Sequence, residues 1–104
     1  MERVPVEYRP EAVADLDAIF IYTLEKSQNF ATASQFTDRI FERCEKIGDA
    51  PSGGQLRPDL GQGIRVVPFE HKAVIVYRQH RGIVEILNVF YHGRDYNAIF
   101  RDNR

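Results

Sequence analysis

Tryptophan is absent from this 104-residue sequence, and cysteine occurs once. A lone thiol, Cys44, excludes an internal disulfide and a cysteine-based zinc site, and it suits a reducing compartment. Long apolar runs are also missing. None approaches the roughly 20 residues that cross a bilayer as a helix, so no membrane partner is expected. The opening Met1-Glu2-Arg3-Val4-Pro5 lacks the charged-then-apolar build of a secretory signal, and the expected location is the cytoplasm. There is no excess of either charge, the net value being −1. That balance argues against general nucleic-acid binding. Internal repeats and low-complexity stretches are lacking as well.

The usual catalytic constellations are missing too. Gly61-Gln62-Gly63 precedes a strand pattern rather than a helix, so it does not make a phosphate-binding loop. His71, His80 and His92 are scattered without ligand spacing and read as turn or tail residues. Cys44 falls on an apolar helical stripe, where packing explains it better than reactivity does. Ser27 and Ser52 sit in turns without a nucleophile elbow. No metal, nucleotide or other cofactor is expected, and a small-molecule enzyme is a weak reading.

What is present fits one α+β domain over residues 1–104, with a C-terminal tail at 92–104. The halves differ in charge. Residues 1–56 hold 6 Lys/Arg against 10 Asp/Glu, and residues 57–104 hold 8 against 5. The basic side of the second half is mostly arginine, which suits bidentate contacts to carboxylates or phosphates.

Val4, Val6 and Tyr8 alternate with polar residues, which predicts a short strand. Pro5 places it at a sheet edge or a bulge. Pro10 opens a helix whose stripe is Ala12, Leu16, Ile19, Phe20, Thr23 and Leu24. After a turn at 27–29, Ala33, Phe36, Ile40, Cys44 and Ile47 make a second stripe, widened by Phe41. Gly48 is expected to end that helix as a left-handed cap. Two such helices joined by about three residues form an antiparallel αα-hairpin. Residues 49–63, punctuated by Pro51, Gly53, Gly54, Pro58, Gly61 and Gly63, read as a loop long enough to suggest function. Three strands follow, at 64–69, 73–77 and 83–91, joined by short turns in an antiparallel meander. Their near-continuous apolar runs predict cover on both faces, and Pro68 pushes the first of the three toward an edge. The order is β-α-α-β-β-β, an antiparallel sheet packed against the hairpin.

Four stretches carry a family resemblance. Tyr8-Arg9-Pro10-Glu11-Ala12 leads into Ala12-Val13-Ala14-Asp15-Leu16-Asp17-Ala18-Ile19, an Ala-x-x-Asp-Leu-x-x-Ile pattern. Pro51-Ser52-Gly53 and then Arg57 follow the hairpin. Gly63-Ile64-Arg65 runs toward Ala73-Val74-Ile75-Val76-Tyr77. Val89-Phe90-Tyr91-His92-Gly93-Arg94-Asp95 closes the sheet. Together, in this order and spacing, they resemble the ParE/RelE toxin superfamily over nearly the whole chain.

The resemblance implies a toxin of a type II toxin–antitoxin module, of the kind that stabilises plasmids. ParE-like members poison DNA gyrase, whereas RelE-like members cleave mRNA in the ribosome. In-line attack by a ribose 2′-hydroxyl needs a base, an acid and cations. The sheet offers Arg65, Lys72 and Arg78. The tail aromatic at the comparable distance after Arg94, however, is Phe100, which has no proton to transfer. Tyr96, with an ordinary pKa near 10, would need tuning. The His-Gly-Arg-Asp ending also favours the ParE branch, and a RelE-like mRNA interferase is the alternative. The expected partners are a ParD-like antitoxin and gyrase, with DNA reached only through the antitoxin complex. Phe20, Phe36, Phe41, Arg57, Arg65 and Arg78 are the candidates for the antitoxin. Arg94, Tyr96, Phe100 and Arg101 are the candidates for gyrase.

Overall fold

The structure is a computed structural model, and it describes residues 3–91. Strand β1 (Val6–Tyr8) is followed by helices α1 (Pro10–Ser27) and α2 (Phe30–Ile47). Strands β2 (Gln55–Leu56), β3 (Ile64–Phe69), β4 (Ala73–His80) and β5 (Ile83–Tyr91) complete the described chain. The strands form one sheet in the order β1-β5-β4-β3-β2.

The helical hairpin forms where the periodicity places it. Arg9, extended as a residue before proline must be, hands over to Pro10 in the first turn of α1. Gln28 ends α1 in the left-handed region at φ 55°. The Asn29 side chain then caps α2 by accepting from the Thr32 N–H at 2.9 Å, which satisfies one of the orphan donors of a helix start. The end of α2 differs from expectation. Gly48 is right-handed, at φ −61°. Glycine is required there for closeness instead: a Cβ would collide with the Val4 carbonyl oxygen, and the Val4 N–H donates to the Gly48 carbonyl at 2.8 Å.

The sheet is mixed. β3, β4 and β5 form the expected antiparallel meander, whereas β1 runs parallel to β5 with Val6 opposite Val84 and Tyr8 opposite Ile86. The segment at 49–63 is not loop throughout, because Gln55 and Leu56 pair with Val66 and Arg65 as an edge strand. β2 stops short of Pro68, so the missing proline N–H falls beyond its reach. β4 runs on to His80, leaving Arg81 and Gly82, both at positive φ, as a two-residue hairpin turn.

Alternation divides the sheet residues between two faces. Toward the helices, Val67, Ile75, Tyr77, Val84, Ile86 and Val89 meet Leu16, Ile19, Phe36, Ile40, Cys44 and Ile47 in the main core. On the other face Val66, Val76 and Phe90 cluster with Ile64 and with Leu60 from the 57–63 segment. Both faces of the central strands are thus buried, as their apolar runs predict. Asp15 ties α1 to the sheet. Its Oδ2 accepts from the Val89 N–H at 2.9 Å and from Asn88 Nδ2 at 3.1 Å. These donors sit beside the register shift at Val76/Tyr77, where an irregular strand leaves its backbone groups in need of partners.

Candidate functional site

The described residues leave an apolar seam exposed on the helical hairpin. On α1, Val13 is exposed and Phe20 half-buried. On α2, Phe30 is 67% exposed and Phe41 40%. Val13, Phe20 and Leu24 follow one another at helical spacing on α1. Phe30, Ser34, Thr37 and Phe41 do so on α2, where two phenylalanines bracket two small, half-buried hydroxyl residues. Each row therefore forms one line on its helix. Phe20 and Phe30 touch edge-on across the hairpin with centroids 5.5 Å apart. Phe41 packs edge-on against Tyr8 at 5.5 Å. The Tyr8 hydroxyl donates to Glu45 at 2.7 Å, and Arg3 holds the other oxygen of that carboxylate at 2.7 Å. Burial, then the bond to Glu45, pushes the Tyr8 pKa well above its ordinary value. The ring thus stays neutral and fixes the β1 end of the seam.

Of the aromatic candidates, Phe20 and Phe41 belong to this seam and Phe36 does not. Phe36 is 4% exposed and packs in the core against Phe69 and Tyr91. The stripe positions of α2 turn inward, and only the row one step round the helix is left outside. Phe30, the most exposed large apolar residue described, was missed from the sequence because it stands at the helix start, before the stripe is established. Ser34 and Thr37 between it and Phe41 also break the apolar pattern. The signal that marks it is its place about three helical turns before Phe41, on the same side of α2.

The three arginines do not converge. Arg65 lies opposite Tyr77 on the helix side of the sheet, whereas Arg78 lies opposite Glu85 on the far side. Arg65 Nη1 donates to the carbonyls of Gly54 at 2.9 Å and Ser52 at 3.2 Å. Arg78 Nε donates to Glu85 at 2.9 Å, and Arg9 approaches the second oxygen of Glu85 at 3.7 Å. Arg57 makes a two-point contact with Asp59 at 2.9 and 2.7 Å. Each guanidinium already has an oxygen partner within the chain. The tail candidates Arg94, Tyr96, Phe100 and Arg101 lie outside the described residues.

Chemistry at the described residues is sparse. They hold no cluster of three metal-ligating side chains, and no helix among them is long and apolar enough to cross a membrane. Cys44 is fully buried. Burial, with Glu45 adding to it, pushes its thiol up to about 12, the opposite of the activation a nucleophile needs.

The described residues thus leave an apolar seam exposed on the hairpin and hold Arg65 and Arg78 within the chain. Residues 6–96 match the family model described as ParE toxin of type II toxin-antitoxin system, parDE. The chain belongs to the ParE toxin family. Its fold is similar to that of a chain in the structure of the chromosomal ParDE TA system from P. aeruginosa. The TM-score is 0.74 at 21% identity, covering 86% of this chain and 96% of that one. No curated protein matches the sequence.

Proposed function

We propose that this ParE-type toxin inhibits DNA gyrase by protein–protein contact and is neutralised by a ParD-like antitoxin that lays an amphipathic helix along the hairpin seam. The seam is the observation that carries the antitoxin half. Exposed apolar side chains on two adjacent helices, with small residues between two of them on α2, offer the kind of face an amphipathic helix packs on. Left open they are a liability in water. The family model's own description supplies the partner class.

The target half rests on the arginines. Ribose-directed cleavage needs several cations free to meet a developing phosphorane. Of Arg65, Lys72 and Arg78, the two arginines are held, by loop carbonyls and by Glu85, while Lys72 makes no ion pair among the described residues. That arrangement favours a gyrase poison over an mRNA interferase. Gyrase contact is assigned to Arg94, Tyr96, Phe100 and Arg101, because aromatic and arginine side chains are the usual anchors of binding hot spots.

Induction in bacterial cells tests both halves. Growth should stop with a DNA-damage response while protein synthesis continues, and co-expressed antitoxin should restore growth. Phe41→Glu should remain toxic and escape rescue. Early loss of protein synthesis would refute the gyrase assignment, and full rescue of Phe41→Glu would refute the seam.

A further inference from the structure

On the other flank of α1, away from the seam, a ladder of aromatic rings and cations crosses the end of the molecule. Tyr22, 43% exposed, meets Tyr91 edge-on at 5.1 Å. Tyr91 meets Phe36 at 5.8 Å. Lys26 Nζ lies 5.7 Å from the Tyr22 centroid. Arg39 and Lys72 lie 5.4 and 5.6 Å from the Phe36 centroid. The rings hold these three exposed charges over one continuous strip, since a cation over an aromatic face is attracted by the ring quadrupole. Lys26 and Lys72 make no ion pair among the described residues. Arg39 is gripped by Glu70 at 2.8 and 2.9 Å.

The Glu70 grip comes at a conformational cost. Glu70 and His71 stand consecutively at φ 51° and 56°, in the β3–β4 turn closed by the Lys72 N–H on the Phe69 carbonyl at 3.0 Å. Such a turn ordinarily takes Asn-Gly, because side chains with a Cβ resist the left-handed region. A strained turn that presents a carboxylate to Arg39, beside two lysines that make no ion pair among the described residues, is a second observation on the same strip.

We infer that the Tyr22–Lys26–Arg39–Lys72 strip docks an acidic segment of a partner protein, with Glu70 occupying the place of one partner carboxylate. Among the described residues Arg39 meets Glu70 directly and Glu42 only through space, and Glu25, beside Lys26 in α1, makes no ion pair with it. The strip therefore complements negative charge in a chain that is otherwise balanced. Nucleic acid fits less well. Bases need free ring faces to stack on, and cations already lie over Tyr22 and Phe36. The strip is separate from the seam, and this assignment does not depend on the gyrase reading.

Fluorescence anisotropy tests it, with a fluorescein-labelled peptide of alternating glutamate and alanine at low salt, where charge contacts are least screened. The wild-type chain should bind. Lys26→Glu with Lys72→Glu should weaken binding by about tenfold or more, since repulsion replaces attraction at two exposed sites. Arg81→Glu, in the turn at the opposite end of β4 from Lys72, should change little. Glu70→Gln should tighten binding, because it frees Arg39, an outcome that a purely structural role for Glu70 does not produce. The inference is overturned by equal binding across these variants, by absence of binding to the wild type, or by displacement of the peptide at lower concentration by a single-stranded oligonucleotide of matched charge.

Discussion

Arg65 and Tyr77 face each other across the β3–β4 ladder and grip the same turn from two directions. The Tyr77 hydroxyl donates to the Pro51 carbonyl at 2.7 Å and accepts from the Gly54 N–H at 3.0 Å, while Arg65 holds the carbonyls of Gly54 and Ser52. The two side chains turn a glycine-rich stretch into a fixed lead-in for β2. Tyr77→Phe removes the hydroxyl from a buried site and should cost about 1–3 kcal/mol. The check is urea unfolding, together with faster hydrogen exchange at the Gly54 amide. Gly54→Ala should cost a similar amount, because its Cβ would sit 2.6 Å from that hydroxyl.

Core and seam should separate cleanly by mutation. Ile40 is fully buried, and Ile40→Ala should lower stability by about 2–5 kcal/mol. Phe30→Ala, at an exposed site, should cost well under about 1 kcal/mol yet weaken antitoxin binding. Thermal melts and calorimetric titration with the antitoxin distinguish the two effects.

Alkaline pH should expose Cys44. The unfolded thiol ionises near its ordinary value, about 8.5, whereas burial holds the folded thiol up to about 12. The folded state therefore keeps its proton where the unfolded state loses it. Stability from this group is intact below the unfolded pKa and falls as pH rises toward the folded one, at up to about 1.4 kcal/mol per pH unit. Unfolding free energies between pH 8 and pH 11, roughly the window set by those values, should decline less steeply in Cys44→Ala than in the wild type.

The hairpin was legible in the sequence because a 3.6-residue period needs only local residues to show itself, and Pro10 and Asn29 mark its boundaries chemically. The meander was legible from β-branched runs and short turns. Three features were not. β2 is two residues among glycines, too short for any period, and it exists because Arg65 and Tyr77 hold its lead-in. The parallel pairing of β1 joins Val6 to Val84, a contact no local pattern encodes. Gly48 has the composition of a left-handed cap, yet its backbone answers to the nearby Val4 carbonyl. The candidate site divides in the same way. Phe20 falls in the α1 stripe and Phe41 widens that of α2, and both prove to stand at the stripe's edge, whereas Phe36 lies within its stripe and is buried. The partners of Arg65 and Arg78 depend on cross-strand register, which a linear reading does not supply.

Truncation after Asp95 bears on the tail assignment. It removes Tyr96, Phe100 and Arg101 and should abolish gyrase inhibition, while the melting temperature and antitoxin affinity stay near wild type. A truncated chain that melts cold or aggregates would instead make those residues part of the fold.

The most direct measurement places the purified toxin with purified gyrase, ATP and supercoiled plasmid, beside a translation extract programmed with a defined mRNA. The account predicts linear plasmid that accumulates only when gyrase is present and disappears when antitoxin is added, with the mRNA left intact. Cuts at fixed codon positions in translated mRNA, with gyrase turning over normally, would contradict it.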